Sequence, residues 1–136
     1  MILATIIRTI VYVNGYDIWF YTMHRAMHAN PALYKLHKKH HSVRDVSWRS
    51  ATLADNVETI MTPFGLLLPI PLVGFSLPAI LTAYGYCSLR AFAHHEPRCA
   101  WLVGDYHLQH HRNPRVNYGQ PWLDKLFGTH MVKRRL

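Results

Sequence analysis

A chain of 136 residues suits a single domain, taken here as 1–136, and its formal net charge of +8 points to nucleic acid or an anionic membrane surface. Its two cysteines, Cys87 and Cys99, form no CxxC pattern, which excludes a disulfide framework and a thiolate zinc site. Histidine is the outlier, at 11 of 136 residues.

Residues 1–23, "MILATIIRTIVYVNGYDIWFYTM", are mostly apolar and lack the small-residue cleavage site of a secretory signal. Arg8, Asn14 and Asp17 interrupt them. The stretch reads as a helix that leaves a membrane and continues into polar sequence at His24. There "HRAMH" places His24 and His28 one turn apart on one helix face. "HKKHH" follows, and if it is helical His37 shares a face with both His40 and His41.

From Thr59 to Leu89 there is no Asp, Glu, Lys or Arg in 31 residues. This exceeds the roughly 20 residues of one membrane span and falls short of two. With Pro63, Pro69, Pro71 and Pro78 inside it, the run predicts two short or tilted helices meeting near "PIPLVG". A membrane hairpin is preferred to a buried hairpin of a soluble protein, because so short a chain has little else to cover it. "AHHE" then supplies His94 and His95, and "HLQHH" repeats the HxxHH spacing with His107, His110 and His111. Asn117 and Gly119 read as turn residues and His130 as a surface residue.

The basic residues lie at 35–49, at Arg112 and Arg115, and in the C-terminal "KRRL". A hairpin that returns to its starting side puts them all on one face, which the positive-inside tendency assigns to the cytosol. Headgroup contact then accounts for the charge, and no nucleic-acid motif competes.

Ten of the 11 histidines fall in these four boxes. Imidazole nitrogen suits iron, zinc, copper and nickel, and several such faces converging can hold more than one metal. There is no HExxH of a zinc peptidase, no ExxH of the ferritin-like di-iron kind, and no CxxCH of a c-type haem. With no GxGxxG or P-loop, a nicotinamide or flavin cofactor has to sit on another protein. Asp17 lies seven residues before His24 on the same face. It is the candidate catalytic-support residue, accepting the free N–H of a ligating histidine; a helix-end or headgroup contact is the alternative.

The order HxxxH, HxxHH, HH, HxxHH around an apolar hairpin resembles the fatty acid hydroxylase/sterol desaturase superfamily. "DIWFYTMHRAMH" is similar to that family's first-box context, and "HHRNPRVNYGQPWLDKLFGT" to its last. The resemblance covers about residues 10–130. It implies an all-α, integral membrane protein with a di-metal site, normally two irons with zinc possible in their place, on the cytosolic face. That face belongs to the endoplasmic reticulum of a eukaryote or the inner membrane of a bacterium. It implies an oxygen-using oxidoreductase that hydroxylates or desaturates a sterol or fatty-acyl lipid. Electrons would come from cytochrome b5 with its reductase, or from a ferredoxin. Carried over box by box, the metal ligands are His24, His28, His37, His40, His41, His107, His110 and His111. From the third box come His94 or His95, with His95 preferred because Arg90 stands where a fatty acid 2-hydroxylase would have a histidine. Such proteins usually carry further membrane helices before the first box, so this chain is expected to be a truncated gene, a cropped domain or a minimal member, whose missing wall an oligomer could supply. The rival from another class is a membrane metal-binding or transport protein without O₂ chemistry. It would be expected to place its ligands inside the spans, whereas all four boxes flank them.

Overall fold

The computed structural model describes residues 1–43 and 46–131; Arg44 and the C-terminal "KRRL" lie outside the described residues. Among the described residues all regular structure is helical.

Helix α1 (Ile2–Ala29) is 28 residues long. It stops because Pro31 bars its predecessor from helical backbone, and Asn30 sits extended at φ −117°, ψ 118°. The same Asn30 then caps α2 (Pro31–His37), accepting from the N–H groups of Ala32 and Leu33. Two 3₁₀ turns follow, His40–Ser42 and Trp48–Thr52.

The apolar run opens with α3 (Asn56–Met61), whose N–H of Val57 is capped by the Asp55 carboxylate. It continues through a 3₁₀ turn, Thr62–Leu66, and α4 (Ile70–Val73). The expectation of two helices meeting at a turn is thus corrected for the outgoing limb. Pro63, Pro69 and Pro71 each remove a backbone donor and crowd the preceding turn, so this limb is broken into short pieces. Gly74, at φ +73°, reverses the chain. Only the return limb, α5 (Leu77–His95), is continuous, over 19 residues. Asn56–Val73 is the one described stretch long and apolar enough to cross a membrane. A 3₁₀ turn at Pro97–Cys99, α6 (Ala100–Val103), α7 (Tyr106–Arg112) and α8 (Pro121–Leu126) complete the chain.

Side-chain contacts fix the directions. Thr9 reaches the carbonyl of Ala79, and Asp17 pairs with Arg90, so α1 and α5 run parallel. The outgoing limb runs against α1: Trp19 donates to Met61 O, while Arg8 and Tyr12 donate to Val73 O and Gly74 O. The close approach needs two glycines. A Cβ on Gly15 would lie 2.3 Å from Pro69 Cγ, and one on Gly65 would lie 2.7 Å from Trp19 Cβ. Tyr12, Leu66, Ala79 and Ala83 form the small core between these limbs. At the hairpin end, Ile2, Leu3, Ile6, Ile10, Leu72 and Phe75 all face outward, the kind of surface that suits lipid rather than water. At the opposite end the two long helices deliver His24, His28, His94 and His95 to the same region.

Candidate metal centre

Nine histidines converge at that end in two groups. His24, His28, His37, His41 and His110 form one; His40, His95, His107 and His111 form the other. Within each group the ligand nitrogens lie within 4.8 Å of one another. In the first, Nε2 of His28 is 3.3 Å from that of His24 and 3.1 Å from those of His41 and His110. In the second, Nε2 of His95 is 3.1, 3.0 and 3.2 Å from those of His40, His107 and His111.

The two HxxHH boxes are shared between the groups in mirrored fashion. Box 37–41 sends its i, i+4 pair, His37 and His41, to the five-nitrogen group and His40 to the other. Box 107–111 sends His107 and His111 to the four-nitrogen group and His110 across. His24 and His28 point together as their spacing predicts, whereas the expectation that the first histidine of HxxHH shares a face with both members of the following pair is corrected. Residues i+3 and i+4 point about 100° apart on a helix, enough to serve two centres. In the first box α2 also gives way to a 3₁₀ turn after His37, which changes the aim of His40.

What stands behind the rings sets their chemistry. A backbone carbonyl only accepts, so a ring nitrogen bonded to one carries the proton and leaves the other nitrogen a lone pair. His24 Nδ1 donates to Tyr118 O at 2.5 Å and His110 Nδ1 to Val116 O at 2.7 Å. His40 Nδ1 donates to Leu53 O at 3.1 Å and His95 Nδ1 to Ala91 O at 2.8 Å. His37 Nδ1 donates to the Glu58 carboxylate at 2.7 Å. Burial, with the neighbouring imidazoles adding to it, pushes His28, His40, His41 and His95 down to about 4. It holds His24, His37, His107, His110 and His111 well below the usual imidazole range. All nine are neutral at pH 7. His40 and His95 then turn two lone pairs toward each other across 3.1 Å, which is repulsive until a cation lies between them. His37 Nε2 is buried with no partner among the described residues. The donor set therefore fits transition-metal ions: neutral imidazoles, tautomers fixed from behind, lone pairs converging.

The loop after α7 supplies two of the bracing carbonyls. Asn117 takes positive φ (57°), which asparagine tolerates better than most residues. Its side chain donates to Tyr106 O and Met131 O and accepts from Met131 N. The Asp124 carboxylate accepts from the N–H groups of Tyr118 and Gly119 and from the Thr129 hydroxyl. Both side chains are completely buried. Reading Asn117 as a turn residue missed this function, and Asp124 and Glu58 were missed outright. The signal for the first two was the "NYG" and "D" of the last-box context.

Asp17 does not take a histidine N–H. Seven residues rise about 10 Å along a helix, out of hydrogen-bond reach of the His24 ring. Its carboxylate binds the Arg90 guanidinium through both oxygens, and Arg90 stacks over the Tyr86 ring. His94 joins neither group; its Nε2 lies 2.6 Å from the Tyr106 hydroxyl, which donates to Gln120. His130 is half-buried rather than on the surface, and is likewise apart from both groups. A cavity of about 280 Å³ borders the site; His37, His40, His95, His107 and Glu58 line it, and Tyr16, Phe20, Tyr84 and Phe92 supply much of its apolar wall.

Residues 9–129 match the fatty acid hydroxylase family model. The chain belongs to that family. Among its relatives is a fatty acid hydroxylase of Lecanicillium, 28% identical, with 88% of this chain matching 41% of the relative. A methylsterol monooxygenase of Aspergillus fumigatus is 29% identical over 88% of this chain and 46% of its own length. A sphinganine C4-monooxygenase of Arabidopsis thaliana is 28% identical over 85% and 50%. The chain thus spans about half the length of the curated relatives it matches. No solved structure matches it. The named relatives oxidise lipids.

Proposed function

We propose that this chain carries the metal centre of an iron-dependent, O₂-using membrane oxidoreductase that hydroxylates or desaturates a lipid of sterol or fatty-acyl type. The observation that carries the reading is the pair of histidine groups, five and four nitrogens, set against a largely apolar cavity. One ion would be held by His24, His28, His37, His41 and His110, the other by His40, His95, His107 and His111. Two irons would supply the O₂ activation that an unactivated C–H bond demands; zinc fits the same nitrogens without the redox chemistry. The chain's own part is to hold nine neutral imidazoles in place, seat an apolar substrate segment beside them, and limit water in the cavity. A nicotinamide- or flavin-dependent donor, such as cytochrome b5 with its reductase or a ferredoxin, provides electrons from outside. The basic residues favour placing the site at the cytosolic membrane surface. The lining of the cavity by members of both groups favours catalysis over metal carriage.

The test is expression in a lipid-producing host followed by lipid mass spectrometry, with His40→Ala and His110→Ala as controls. A hydroxylated or unsaturated lipid made by the wild type and missing from both variants supports the proposal. Stoichiometric metal with no altered lipid favours the metal-binding alternative.

A further inference from the structure

The uncharged run begins at Thr59 because the residue before it is charged. That residue, Glu58, is 6% exposed, and it lies against the site from a part of the sequence that holds no histidine. It belongs to neither nitrogen group. One carboxylate oxygen accepts from His37 Nδ1 at 2.7 Å; the other is buried and has no partner among the described residues. Asp55 starts the helix that carries it, and Glu58 occupies that helix's first turn.

Among the five grouped histidines whose Nδ1 partner is established, four rest on backbone carbonyls and His37 alone on a carboxylate. The difference has a chemical consequence. Burial raises the Glu58 carboxyl to about 7, and a cation held at the far nitrogen of His37 favours its ionised form. That anion behind Nδ1–H pushes electron density through the ring and makes Nε2 the stronger donor. That Nε2 is the buried, unpartnered nitrogen turned toward the five-nitrogen group, with the His37 ring 4.6 Å from that of His24 and 4.7 Å from that of His41.

We infer that Glu58 is a positioning residue that, through His37, selectively strengthens the five-nitrogen site and leaves the four-nitrogen site unaffected. The inference rests on the proposed metal binding. It explains why an acidic side chain stays buried at the edge of an apolar hairpin, where burial alone costs stability.

The experiment uses the full chain in detergent and Co²⁺ alone as probe, read by its d–d absorption during competition with a chelator. His107→Gln with His111→Gln leaves two nitrogens in the four-nitrogen group and isolates the five-nitrogen site; His28→Gln with His41→Gln and His110→Gln leaves two in the other and isolates the four-nitrogen site. In the first background, Glu58→Gln is expected to weaken Co²⁺ binding about 10–100-fold and to shift the d–d band. In the second it is expected to change neither. Glu58→Gln is the informative change because its amide oxygen can still accept from Nδ1–H, so packing persists and the charge is lost. Should that variant fail to fold, Glu58→Asp, which keeps the charge and shortens the reach, is expected to give the same one-sided loss. Equal losses at both sites, or no loss at the five-nitrogen site, overturns the role given to Glu58. A wild-type chain that takes up no Co²⁺ overturns the metal reading instead.

Discussion

The five- and four-nitrogen groups are built from one residue type, yet their surroundings differ. Behind the five-nitrogen group, His24 and His110 rest on carbonyls of residues 116–118, a loop locked by the fully buried Asn117 and Asp124, and His37 rests on Glu58. Behind the four-nitrogen group, His40 and His95 lean on the carbonyls of Leu53 and Ala91, while Nδ1 of His111 is buried without a partner among the described residues. In front, the order reverses. The cavity touches three members of the four-nitrogen group and one of the other. What braces a ring and what it faces divide identical ligands into a held site and an open one.

Disabling one group at a time separates their roles. His110→Ala and His107→Ala are both expected to lower the yield of oxidised lipid by more than about 100-fold, read by lipid mass spectrometry; full activity in either would mean one group suffices. Asp17→Ala acts on neither group and serves as the contrast. It strands the Arg90 guanidinium in a buried place and should cost about 3–5 kcal/mol, seen as a lower thermal midpoint. Replacing both partners, Asp17→Leu with Arg90→Met, should restore most of it. Asp124→Ala frees the N–H groups of Tyr118 and Gly119 and should cost about 1–3 kcal/mol. Because that loop braces only His24 and His110, metal should leave the five-nitrogen group first, a selectivity that chelator titration resolves.

A further effect is shared by both groups. His28, His40, His41 and His95 take up protons near 4 in the fold, and an unfolded histidine does so near 6.5. Between those values the unfolded chain binds more protons. Stability of the metal-free protein is therefore full above about 6.5 and declines as pH falls toward 4. Urea midpoints at pH 7, 5.5 and 4.5 should fall in that order.

The sequence carried the boxes because i, i+3 and i+4 spacing survives in α1 and α7, where the backbone is helical. It did not carry the division of HxxHH between two groups, which depends on how the rings are aimed and, at His40, on a 3₁₀ turn. Glu58 was invisible for another reason. It stands 21 residues from its partner His37, and only the packing of α3 beside α2 joins them. Asp17 misled because sharing a helix face says nothing about reach along the axis, and Arg90 claimed the carboxylate across the α1–α5 contact. The hairpin was legible as apolar, while its outgoing limb fragmented where the prolines fall.

The most direct test is a metal count on purified protein made in iron-replete cells. Two transition-metal ions per chain are expected in the wild type, falling to one when His28, His41 and His110 are replaced together by alanine and to one when His107 and His111 are. A wild-type chain with no bound metal, or such variants keeping both ions, would contradict the two-site reading.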